Sequence, residues 1–130
     1  MPTELRLLAY SAILTWLMIV VASGLKANFD LGRMFGNREE PTGPAEPPAV
    51  AGRADRAAKN MLENMVLFVA VVLATVGAHH HHHRVVLGAR IFFWARVAYW
   101  PVYLAGITYV RTALWLTSIV GLAIMLSAVL

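Results

Sequence analysis

Arg53, Arg56, Asn60 and Glu63 place two guanidinium groups, an amide and a carboxylate within roughly a quarter of one helix's circumference, at about 100° per residue. A second set, Arg96, Tyr99, Trp100 and Tyr103, recurs at spacings of three, four and seven and therefore shares a helix face. Arg111 stands apart from both, in Tyr109-Val-Arg-Thr-Ala-Leu-Trp115, directly after a short turn. Read together, Arg56, Asn60, Glu63, Tyr99, Tyr103 and Arg111 form a ring of polar groups facing the cytoplasm. Such a ring suits a small ligand carrying carboxylates, because guanidinium pairs with carboxylate in a forked geometry. Each residue also has a plain structural reading. Glu63 and Asn60 both lie at a depth similar to Arg96, with Glu63–Arg96 readable as a buried ion pair fixing helix register, and Arg111 could be a flanking anchor with Trp115 as an interface aromatic.

The elements that must hold these residues are membrane helices. Of 130 residues, 59% are hydrophobic and only 14% charged, more apolar surface than a soluble domain of this length can hide. The net charge of +4 comes from basic residues scattered beside apolar runs, which argues against nucleic acid as a partner. With no cysteine in the chain, there is no disulfide framework, and any thiol chemistry needs a thiol from a substrate. The uncharged run from Met65 to Ala78 is shorter than the about 20 residues a span requires, so its helix must draw part of the charged stretch before it into the membrane. The pattern predicts an all-α integral membrane protein, a single four-helix domain over 1–130, with spans at about 5–25, 53–78, 85–109 and 112–130. The first apolar stretch is long and opens with Glu4 and Arg6, so it reads as a span rather than a cleaved signal peptide.

Lys26, Arg33, Arg38, Arg53, Arg56, Lys59 and Arg111 flank the first and third loops, against Arg6, Arg84 and Arg90 on the other side. The positive-inside rule then puts both termini outside and the first and third loops in the cytoplasm. The first loop, 26–52, holds Pro41, Pro44, Pro47 and Pro48 and reads as a solvated connector whose start, 27–35, folds back on the membrane surface. His79, His80, His81, His82 and His83 fall in the second loop. Adjacent histidines point in different directions along a regular element, so the run reads as a purification tag and no metal site is assigned to it. A native metal-handling tract is the competing reading, and removing the run would distinguish the two.

Three segments, Arg56-x-x-Lys-Asn-x-x-Glu-Asn64, Ala95-Arg-Val-Ala-Tyr-x-x-x-Tyr-Leu104 and Arg111-Thr-Ala-Leu-Trp115, resemble the MAPEG family, the membrane-associated proteins of eicosanoid and glutathione metabolism. The likeness is to bacterial-type members similar to microsomal glutathione transferases. It implies a four-helix subunit assembled as a homotrimer in the bilayer, with glutathione as co-substrate held between subunits and a lipophilic small molecule as the second substrate. It implies that Arg56, Asn60, Glu63, Tyr99 and Tyr103 bind glutathione and that Arg111 stabilises its thiolate. It also implies a structural role for the buried Arg96 and places Lys26 to cap the site. Lys59 stands where some members carry arginine, and Tyr99 where some prostaglandin-forming members carry histidine. Transferase or peroxidase chemistry on lipophilic electrophiles or hydroperoxides is the leading expectation. A non-catalytic assembly or ligand-binding protein of the same fold is the alternative.

Overall fold

The structure, a computed structural model, describes residues 2–27, 49–77 and 83–130. These segments form four helices: α1 (Thr3–Lys26), α2 (Ala49–Gly77), α3 (His83–Leu104) and α4 (Thr108–Val129). All four are long and apolar enough to cross a bilayer. Even the two 22-residue helices reach about 33 Å at about 1.5 Å per residue, against about 30 Å of hydrocarbon. Contacts between helix ends define an up-and-down bundle. Lys26 at the end of α1 meets Asp55 near the start of α2, and Arg84 at the start of α3 meets Ser127 near the end of α4.

The surface is apolar where a soluble protein's would be polar. Trp16, Val66 and Trp94 are each more than half exposed, as lipid-facing side chains should be. Because lipid tails are as apolar as the helices, burial supplies little drive for helix association, and close packing must do the work. The α3–α4 contact shows how. Gly88 and Gly121 face each other so closely that a Cβ on either would collide with the carbonyl oxygen of the other. Beside this contact, the fully buried rings of Phe68 and Phe92 stack at 4.2 Å between α2 and α3. Three buried hydroxyls bond to their own helices: Thr15 donates to Ser11 O at 2.7 Å, Thr75 to Val72 O at 2.7 Å and Ser118 to Trp115 O at 2.6 Å.

The α3–α4 turn falls earlier than expected. α3 stops at Leu104 rather than 109, because Gly106 adopts a left-handed φ of 77°. The Gly106 N–H donates to Tyr103 O at 3.0 Å and the Ile107 N–H to Val102 O at 3.2 Å, the paired bonds of a Schellman cap. Pro101 sits inside α3 without ending it, and its carbonyl accepts from Ala105 N–H at 3.0 Å. The remaining carbonyl at the helix end, that of Leu104, accepts from Arg53 Nε of α2 at 2.9 Å. A guanidinium there also meets the negative end of the α3 dipole. This turn sets where α4 begins and thereby places Arg111 in its first turn.

Candidate functional site

The polar face of α2 divides in two. Arg53 and Asn60, seven residues apart, both turn toward α3. Arg56 and Glu63, also seven apart, lie about 60° further round the helix and are exposed. Arg56 folds back along its own helix, with Nη1 only 3.2 Å from where a Cβ on Gly52 would sit.

Asn60 is joined to Arg96 of α3. Arg96 is fully buried, and its Nη1 donates to Asn60 Oδ1 at 2.7 Å. Of the two depth-matched partners, Asn60 is the one that meets Arg96, and the Glu63–Arg96 ion pair is not formed. Matching depth brought the two to the same level, but the azimuth of Glu63 takes its carboxylate away from α3 and leaves the amide of Asn60 as acceptor. The Arg96 guanidinium also lies 4.7 Å from the Tyr99 ring centroid and 5.8 Å from that of Phe92. Its Nε and Nη2, like the buried Trp100 Nε1, have no hydrogen-bond partner among the described residues. Cation–π contact is a real but partial substitute for those bonds.

From Arg96 a ladder of rings and cations climbs toward α4. Tyr99 and Tyr103 meet edge to face at 5.4 Å, and the Arg111 guanidinium lies over the Tyr103 ring at 4.5 Å. An open cleft of about 120 Å³ lies alongside, lined by Asn60, Tyr99, Arg111, Thr112 and Trp115. The structure thus brings together Asn60, Tyr99 and Arg111, with Tyr103 stacked behind Arg111. It leaves Arg56 and Glu63 on the outer flank, away from the cleft within this chain. Arg111 is half-buried and forms no ion pair among the described residues.

Lys26 does not reach this cleft. Its Nζ lies 2.7 Å from Asp55 Oδ1, while Lys59 Nζ lies 3.2 Å from Asp55 Oδ2, so one carboxylate gathers both lysines at the bundle's edge. Asp55 escaped the sequence reading, although its i,i+4 spacing to Lys59 was available. Asn64 and Thr112 were also missed. Asn64 Nδ2 donates to Asn60 O at 2.8 Å and approaches Asn60 Oδ1 at 3.2 Å, again an i,i+4 relation. Nothing local marks Thr112, which joins the cleft only because of how α4 packs. His79–His82 and the proline-rich stretch 28–48 lie outside the described residues. His83 is the exposed first residue of α3.

The protein is thus a bundle of four helices able to span a membrane, three of which line an open cleft of amide, phenol, hydroxyl and guanidinium groups at one end. The model of the MAPEG family matches residues 5–130, nearly the whole chain, and the protein belongs to that family. No curated protein and no solved structure matches the chain.

Proposed function

We propose that this protein is a glutathione-dependent membrane enzyme, a transferase or peroxidase in which Arg111 activates the thiol. The setting of Arg111 carries the reading. Its guanidinium is half-buried over the Tyr103 ring at the edge of a donor-lined cleft, with no carboxylate paired to it among the described residues. A guanidinium so placed favours thiolate over thiol, lowers the thiol pKa and raises the nucleophilic fraction near neutral pH. In the transferase reaction the thiolate sulfur bonds to an electrophilic carbon, and the displaced group leaves with its electron pair. In the peroxidase reaction the thiolate attacks a hydroperoxide oxygen and the O–O bond breaks. The alkoxide takes a proton and leaves as an alcohol, and the sulfenic acid formed on glutathione reacts with a second glutathione thiol to give the disulfide and water. The lipophilic partner reaches the sulfur from the bilayer past Trp115.

Size and charge both favour a site completed by a second copy. A cleft of about 120 Å³ holds only one end of glutathione, since ligand pockets of this kind run to about 300 Å³ or more. The 29-residue α2 reaches about 43 Å, so about nine residues of it overhang a hydrocarbon layer of about 30 Å. Glu63 lies beyond that overhang, and a charge facing lipid at such depth costs on the order of 2.5 kcal/mol or more. A neighbouring subunit laid against Arg56 and Glu63 relieves that cost and supplies a second wall. This arrangement agrees with a homotrimer holding glutathione at each subunit interface, with Arg56, Asn60, Glu63, Tyr99 and Tyr103 as its ligands. By the positive-inside rule the site opens to the cytoplasm and both termini lie outside.

The test is a glutathione titration of detergent-solubilised protein near neutral pH, following thiolate absorbance, with intact protein, Arg111→Lys and Arg111→Ala side by side. The expected result is a saturable signal in the intact protein, weaker in Arg111→Lys and lost in Arg111→Ala. No signal from folded intact protein would overturn the enzyme reading in favour of a non-catalytic assembly or ligand-binding protein of the same fold.

A further inference from the structure

An asparagine amide can present either its oxygen or its NH2 to a ligand, and which of the two faces the cleft decides what the cleft accepts. At Asn60 that choice is made by Arg96. Arginine has only donors to offer, and its Nη1 lies 2.7 Å from the Asn60 side-chain oxygen. Asn64 Nδ2 approaches the same oxygen at 3.2 Å. Turning the Asn60 amide over would set NH2 against both donors. Arg96 cannot yield either, because it is fully buried between the Tyr99 and Phe92 rings. The Asn60 oxygen is therefore committed to the interior, and no acceptor among the described residues takes the Asn60 Nδ2 hydrogens. Asn60 lines the cleft, so that NH2 is the group left for a ligand.

We propose that Arg96 is a positioning residue that sets the polarity of the cleft. By holding the Asn60 oxygen inward it turns Asn60 into a ligand-facing donor, so this part of the cleft selects a carbonyl or carboxylate oxygen and rejects an ammonium. The inference rests on the glutathione reading and deepens it: glutathione lies with an amide carbonyl or carboxylate against Asn60 and with its ammonium directed elsewhere.

Asn60→Asp separates this role from a merely structural one. A carboxylate gives Arg96 a stronger acceptor but presents the ligand with an acceptor where a donor stood. Asn60→Leu removes both functions. Thermal melting and glutathione binding would be measured on intact protein and both variants in detergent. Asn60→Asp is expected to melt at or above the intact protein, with Asn60→Leu melting below it. Glutathione should bind Asn60→Asp about tenfold more weakly or worse, the equivalent of one ligand hydrogen bond replaced by repulsion. Arg96→Gln, which can offer either end of its own amide, should also weaken binding by freeing Asn60 to turn. Undiminished binding by Asn60→Asp, or melting as low as that of Asn60→Leu, would overturn the proposal. If intact protein binds no glutathione, the enzyme reading fails. The melting order still decides the lock: Asp at or above intact supports it, and Asp falling with Leu refutes it.

Discussion

In the half of the bundle nearer the chain termini, α2, α3 and α4 meet through Phe68, Val72, Val85, Phe92 and Met125 and through the Gly88–Gly121 contact. Toward the α3–α4 turn, the same three helices meet through Arg53, Asn60, Arg96, Tyr99 and Arg111. The first region is held by shape, because lipid withholds the hydrophobic drive that would forgive loose packing. The second is held by donors finding acceptors, and it keeps some donors unspent. Tight packing and the polar cleft are therefore distributed to opposite ends of shared helices, and substitutions at the two ends should have separable consequences.

The sharpest break in that comparison should come from Arg111→Ala. Loss of thiolate stabilisation is expected to lower kcat/KM for a lipophilic electrophile about a hundredfold, or about 2.7 kcal/mol, with the melting temperature little changed. Gly121→Val should do the reverse. Its side chain must force α3 and α4 apart at a backbone contact, costing about 2 kcal/mol of stability, read as a fall in melting temperature and in recovery of folded protein. Arg53→Gln tests the boundary between the regions. It removes the cation from the Leu104 carbonyl and should cost about 1 kcal/mol, with a rise in glutathione KM as Arg111 loses its fixed start to α4. Asp55→Asn should matter least. Its partners are solvent-exposed lysines, so a loss of about 0.5 kcal/mol or less, shrinking further in high salt, is expected in thermal melts.

The sequence made particular residues legible for physical reasons. Helical spacing was enough to put Arg96, Tyr99 and Tyr103 on one face, and apolar run length was enough to find membrane helices. It was not enough to choose between Asn60 and Glu63 as the partner of Arg96. Depth along a helix can be counted from its ends, but an offset of about 60° around it decides which side chain meets α3, and that rotation is set by packing. Opposite charge made Glu63 the attractive guess; Ala54, Ala57, Ala58 and Met61, the buried stripe of α2, decided otherwise. Arg53 was recognised as part of a polar face, yet its role depends on a turn about fifty positions away in sequence, which no local pattern encodes. Gly106 carried a clearer signal, since a glycine after an apolar run is the usual mark of a helix end, yet the span expected to reach 109 ran through it.

The placement of the tryptophans gives the molecule a built-in optical division. Trp16 and Trp94 are exposed on the apolar outer surface, whereas Trp100 is half-buried and Trp115 lines the cleft. Bromine carried on lipid tails quenches the emission of indoles it touches, so in such bilayers the light from Trp16 and Trp94 is dimmed relative to that of the less exposed Trp100 and Trp115. Occupancy of the cleft then becomes visible in the protein's own fluorescence, without a label and without turnover.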